Sequence, residues 1–199
     1  MFTLIELKDK IKIPPFKFNL PLHEAIAEEL NRKLANRVLI NVGLCITLYD
    51  IIKVHESFIL KGDGCSHTLV HFRFVVFRPF IGEVLTGRLR SCSVDGINVS
   101  LGFFDGIVIP PEFLQEPSRF DEKEQLWVWE YETEDGKHDL FMDKEEMIRF
   151  KVKEEIFTDT SPPGPSTSAG TVEESQKRIP YLIKGTIAES GLGLLQWWK

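Results

Sequence analysis

The stretch Leu69–Leu101, LVHFRFVVFRPFIGEVLTGRLRSCSVDGINVSL, limits the fold more than any other part of the chain, because two strand patterns meet in it at Arg78-Pro79-Phe80. Val70, Phe72, Phe74 and Val76 fall on one side of a two-residue repeat, with His71 and Arg73 opposite, until Val75 and Phe77 make both sides apolar. Proline has no backbone N–H to give to a sheet ladder, so Pro79 interrupts the pairing. A new strand runs from Glu83 to Ser91, and Val94-Asp95-Gly96-Ile97 has the composition of a tight turn into Asn98–Leu101. The pattern predicts a hinge strand joining two small domains, 1–80 and 81–199, each long enough to enclose its own core.

Before the hinge, Phe2–Ile13 alternates as an opening strand that Pro14-Pro15 ends. Leu22–Val38 carries Leu22, Ile26, Leu30 and Leu34 at four-residue steps, a narrow apolar stripe suited to a helix lying on a sheet. Asn41–Val54 and Ser57–Leu60 read as two further strands, and the turn Gly62-Asp63-Gly64 precedes the hinge. The order β, α, β, β, β gives an antiparallel sheet with one main helix on a face. After the hinge nearly everything is strand: 82–91, 96–101, 106–109, 126–131, 137–141, 147–152 and 179–187, with Pro110–Leu114 as a short helical turn. Short strands separated by Asp-Gly turns describe a small barrel, so the fold class is α+β. Thr158–Arg178, rich in Ser, Thr, Pro and Gly and empty of large apolar residues, reads as a disordered loop. The ending Gly191–Trp198 is too apolar for a free tail and is expected to dock.

Charge divides the chain unevenly. Residues 1–80 hold 11 Lys+Arg against 8 Asp+Glu, a net +3, and residues 81–199 hold 13 against 22, a net −9. Nucleic acid would therefore have to meet the second domain at a local basic strip. Arg88 and Arg90 share one face of a strand, as do Arg149, Lys151 and Lys153; if those strands adjoin, the five residues make such a strip, with a merely wetted sheet face as the plain alternative. Trp127, Trp129 and Tyr131 form an aromatic stripe, but the surrounding Asp and Glu repel phosphate. The stripe reads as core or protein interface, and Trp197 and Trp198 as an anchor against protein.

No chemistry of catalysis is assembled. The five histidines never stand at ligand spacing on a helix, Gly62-Asp63-Gly64 lacks the Lys and Ser/Thr of a phosphate loop, and the Glu pairs point opposite ways on strands. Neither catalytic residues, metal nor cofactor is expected. Cys45, Cys65 and Cys92, odd in number and far apart, suit buried thiols better than a disulfide framework. No apolar run approaches the roughly 20 residues that cross a bilayer, and the opening sequence is unlike a signal peptide, so cytoplasm or nucleus is expected and no membrane.

Taken together, the joint VHFRFVVFRPFIGEVLTGRLRSCSVDGINVSLG, the opening strand, the helix and the Gly62-Asp63-Gly64 loop resemble the stalk subunits of multisubunit RNA polymerases, the family of the archaeal E and eukaryotic seventh subunits. Ser100–Leu114 (SLGFFDGIVIPPEFL), Trp127–Gly136 (WVWEYETEDG) and Gly191–Trp198 (GLGLLQWW) are most similar to the RNA polymerase III member. The resemblance implies a tip domain followed by an OB-type, S1-like barrel. It further implies a non-catalytic nuclear subunit, paired with a smaller helical stalk subunit, that aids initiation on transfer RNA, 5S ribosomal RNA and other short genes. Pro14, Pro15, Phe16, Gly62, Asp63 and Gly64 would then meet the polymerase core, Arg88, Arg90, Arg149, Lys151 and Lys153 would make weak contact with nascent RNA, and Trp127, Trp129, Trp197 and Trp198 would face the partner. A free-standing RNA-binding factor of translation type, on the same barrel, is the alternative.

Overall fold

The computed structural model describes residues 1–133, 136–160 and 179–198. They form two compact units that divide between Pro79 and Phe80, one residue ahead of the expected boundary. All but the first three residues of the expected disordered loop, and Glu134 and Asp135 of one turn, lie outside the described residues.

In the first unit, β1 (Phe2–Ile13), β2 (Val38–Leu39), β3 (Gly43–Ile59) and β4 (Ser66–Phe77) make an antiparallel sheet in the order β1-β4-β3-β2. One face carries α1 (Leu22–Leu34), whose Ile26, Leu30 and Leu34 pack with Val70, Phe72, Phe74 and Val76 of β4 and Ile11 and Ile13 of β1. This is the alternation that β4 displayed in the sequence, with its even-numbered residues inward. The helix is four residues shorter than its pattern suggested, because the chain turns at Asn36 into a left-handed conformation (φ 59°) and enters β2. The two strands expected between Asn41 and Leu60 are one, β3, bent by register shifts that include one between Val54 and Ser57. Asn31 of α1 answers another of these bulges: its Oδ1 accepts the Leu48 backbone N–H at 2.8 Å.

β4 ends at Phe77 and the next strand begins at Val84, so the hinge is two strands broken at the proline rather than one continuous ribbon. Val76 is fully buried in the first unit, and Val84 is exposed.

The second unit is built on β5 (Val84–Ser93), β6 (Gly96–Ser100), β7 (Ile107–Ile109), β11 (Met147–Phe157) and β12 (Tyr181–Thr186), paired β12-β7-β6-β5-β11 and closed by β11 on β12. Five strands closed with a single parallel contact, Ile183 opposite Ile107, constitute a mixed barrel of OB type. Leu89, Ile97, Ile107, Ile148, Phe150 and Ile183, at alternate positions of all five strands, fill it. Gly96 makes the β5–β6 turn possible: its φ is +133°, and a Cβ there would lie 2.3 Å from the Ile109 carbonyl oxygen.

Between β7 and β11 the chain forms a 3-10 turn at Pro111–Phe113 and a three-stranded sheet of β8 (Ser118–Asp121), β9 (Leu126–Thr133) and β10 (Gly136–Phe141). β13 (Gly193–Leu194) then pairs with β11 and hands the chain to a final turn, Leu195–Trp198, so the apolar ending is docked.

All four tryptophans belong to the second unit, so their fluorescence reads its unfolding alone. Phe150→Ala, which empties the middle of the barrel, is expected to lower the stability of this transition by about 3–5 kcal/mol, seen as a fall in the urea midpoint.

Candidate docking and nucleic-acid surfaces

The predicted core-docking residues come from two loops distant in sequence, and strand pairing makes them neighbours. β1 runs antiparallel to β4 with Ile13 opposite Ser66, so the Pro14-Pro15 turn lies beside the β3–β4 turn. A Cβ on Gly64 would stand 3.8 Å from the Pro15 ring. Asp63 ties that corner together: one carboxylate oxygen accepts the Cys65 N–H at 2.8 Å, and the other meets Lys12 Nζ at 3.1 Å and His67 Nε2 at 3.0 Å. The Cys65 amide foremost, then His67 and Lys12, hold the Asp63 carboxyl down to about 2.

Phe16 is 76% exposed at the apex of the 3-10 turn Pro15–Lys17. That turn is held to α1 by Lys17, whose Nζ reaches Glu28 at 2.7 Å and the buried Glu29 at 3.0 Å. Burial alone would raise the Glu29 carboxyl, but hydrogen bonds from Arg32 and Lys17 outweigh it and leave Glu29 below the ordinary range. Phe18, Ile59 and Leu60 are exposed as well, and Phe18 and Ile59 border an apolar groove of about 270 Å³. Sequence reasoning passed over these three; the run Phe58-Ile59-Leu60 at a strand end was the signal for two of them.

Another grouping appears only through strand register. Lys8, His71 and Lys53 stand opposite one another on three neighbouring strands, and the His71 ring lies 5.0 Å from that of His55. Desolvation first, then Lys53, His71 and Lys8, lower the His55 pKa.

On the barrel, β5 and β11 do adjoin. Arg88 is opposite Met147 and Arg149 opposite Thr86, so the two arginines are diagonal neighbours on the outer face. Arg88, Met147 and Thr86 line a groove of about 440 Å³ with Ser100 and Leu101. The other cations are less available: Arg90 is paired with Asp105, and Lys151 Nζ lies 2.8 Å from Glu189. Among the described residues no ion pair holds Arg88, Arg149 or exposed Lys153.

The tryptophans part company. Trp127 is buried, its ring 5.5 Å from that of Phe120 and its Nε1 donating to the Ser93 carbonyl at 2.9 Å, so it fastens β9 to the β5–β6 turn and is not free to face a partner. Trp129 lies against Tyr131 and Trp197, at 4.8 and 5.3 Å between centroids, and Trp198 is 44% exposed. Cys45, Cys65 and Cys92 are free and buried, and burial raises the Cys45 and Cys92 thiols. Among the described residues no helix is long and apolar enough to cross a membrane.

The described residues define a two-unit protein, a one-helix antiparallel sheet followed by an OB-type barrel. Residues 8–64 match the family described as "SHS2 domain found in N terminus of Rpb7p/Rpc25p/MJ0397", and residues 83–198 match "RNA polymerase III subunit Rpc25". The chain belongs to the Rpc25 family of RNA polymerase III subunits, which are accessory and not catalytic. It is 57% identical to the DNA-directed RNA polymerase III subunit RPC8 of Bos taurus, over 100% of this chain and 98% of the relative. It is 43% identical to the rpc8 of Schizosaccharomyces pombe over 100% of each. To the archaeal RNA polymerase subunit Rpo7 of Saccharolobus solfataricus it is 28% identical over 61% of this chain and 67% of the relative.

A carboxyl held down by folding contributes stability that is present above its unfolded value, about 3.9, and is lost as pH falls through its folded one. The Asp63 turn is therefore expected to stay ordered at pH 4 and loosen only near pH 2. An NMR titration of the Asp63 carboxyl carbon should have its midpoint near the lower value, and Asp63→Asn should speed hydrogen exchange at the Cys65 amide.

Proposed function

We propose that this chain is a stalk subunit of RNA polymerase III whose first unit seats on the polymerase core and whose barrel contacts emerging RNA. It pairs with a smaller helical stalk subunit and aids initiation on transfer RNA, 5S ribosomal RNA and other short genes in the nucleus. The observation that carries this reading is the correspondence with the bovine polymerase subunit over the whole chain, both units included.

The geometry supports the division of labour. Pro14, Pro15 and Phe16 with Gly62, Asp63 and Gly64 form one corner, rigidly held by ion pairs and tipped with exposed apolar side chains, as a docking plug requires. Trp129, Trp197 and Trp198 make a protein interface. Arg88 and Arg149, with Lys153 beyond them, supply the RNA contact; Arg90 and Lys151 contribute less because carboxylates already hold them. Three available cations on an acidic domain give a weak, salt-sensitive contact.

Phe16→Asp is expected to abolish co-purification of the polymerase with the tagged chain while leaving the smaller partner bound. Retention of the polymerase would sink the docking assignment. Arg88→Glu combined with Arg149→Glu should cut RNA crosslinking several-fold and reduce the salt slope of RNA binding by about 0.7 for each phosphate that is no longer neutralised. The pair Arg90→Glu with Lys151→Glu should do so less, and the reverse order would reassign the strip.

A further inference from the structure

The β9–β10 sheet and the chain ending border a groove of about 600 Å³. Its floor is Trp129 against Trp197, and its walls are Tyr131, Phe141 and Trp198, each left more than two-fifths exposed. The walls are fixed in place. Trp198 Nε1 donates to the Leu192 carbonyl at 2.9 Å, and β13 holds the ending to β11 through Leu194 opposite Ile148. Gly193 allows the Trp197 ring to approach the backbone closely, since a Cβ there would be 2.6 Å from the ring. Rigid, half-open Trp and Tyr rings lose little freedom when covered, which is the usual character of the centre of a protein interface.

Charge decides what covers them. The groove is lined by three carboxylates, Asp139, Asp143 and Glu146, against one imidazole, His138, which stands opposite Tyr131. Asp139 is engaged by Arg119 at 2.7 Å, and Glu146 accepts from Gln196, but Asp143 is exposed and has no ion pair among the described residues. Phosphate is repelled from such a place, so the rings do not serve as a base-stacking platform. A basic segment would find aromatic faces along the groove and a carboxylate beyond Phe141.

We infer that this groove docks a cationic segment of a protein partner, one whose arginine or lysine side chains lie along the Tyr131 and Trp198 rings and reach Asp143 past the end of β10, beyond Phe141. The inference rests on reading Trp129, Trp197 and Trp198 as a protein interface and adds the chemistry of the occupant.

The test is photo-crosslinking from the full chain in its native assembly, with p-benzoylphenylalanine in place of Tyr131 and the crosslinked peptide sequenced. The expected product is a segment of net positive charge, with a yield reduced several-fold by Asp143→Lys and unchanged by Glu24→Lys on α1 of the first unit. Crosslinks to RNA, to a second copy of this chain or to an acidic or neutral segment would overturn the inference, as would indifference to Asp143→Lys. Trp198→Ala separates the two levels. If it removes the crosslink while Asp143→Lys does not, the aromatic interface stands and the cationic occupant falls. If neither variant matters, the interface reading falls with it.

Discussion

The second unit depends on one long strand that pairs along both edges. β11 gives one edge to β5 and the other to β12 and the short β13, and without the β11–β12 closure the barrel would be an open sheet with two unpaired edges. Closure also commits every strand to a single inside and outside. Ile148, Phe150 and Val152 must face in, so Arg149 and Lys151 must face out, Arg149 diagonal to Arg88 on the next strand and Lys151 opposite Val84, while Lys153 is exposed at a register shift. The cationic strip is thus a by-product of packing the core. Its strength is then trimmed by carboxylates from elsewhere: Asp105 reaches Arg90, and Glu189 reaches Lys151.

The first unit achieves its corner by a different route. A long antiparallel pairing, β1 with β4 across twelve residue pairs, carries the end of one strand to the start of another and so sets a proline turn beside a glycine turn. Asp63 and Lys17 then hold the two turns, one to the sheet and one to the helix. Order at this corner comes from hydrogen-bonded charges, which leaves the apolar Phe16, Phe18 and Ile59 facing outward. An apolar tip on a rigid support is what a docking element needs, because little freedom is lost when the surface is covered.

Much of this was legible in the residues. The two-residue repeat from Val70 to Val76 gave the buried face of β4, the four-residue steps from Ile26 to Leu34 gave the helix stripe, and Pro79 gave the boundary to within a residue. Shorter elements escaped: β8 is four residues and β13 two, too few to display any period. The helix end escaped because Asn36 supplies a left-handed stop without the glycine that usually announces one. Among the candidate residues, the outward side of Arg88 and Arg149 was legible, since alternation survives in any sheet. Trp127 could not be told from Trp129 on the same grounds, because both lie on one side of β9 and only the fold decides which is covered.

Local chemistry therefore settled which side chains share a face and where Pro79 must break the pairing, because these follow from the periods of the strand and the helix and from proline's missing N–H. What the tertiary structure alone decided is which faces meet: the contact of Asp63 with Lys12, the neutralising of Arg90 by Asp105, and the delivery of Trp197 to Trp129 from the far end of the chain. Those depend on strand order and register. Both are fixed by how a whole barrel closes and a whole sheet pairs, and no window of sequence contains either.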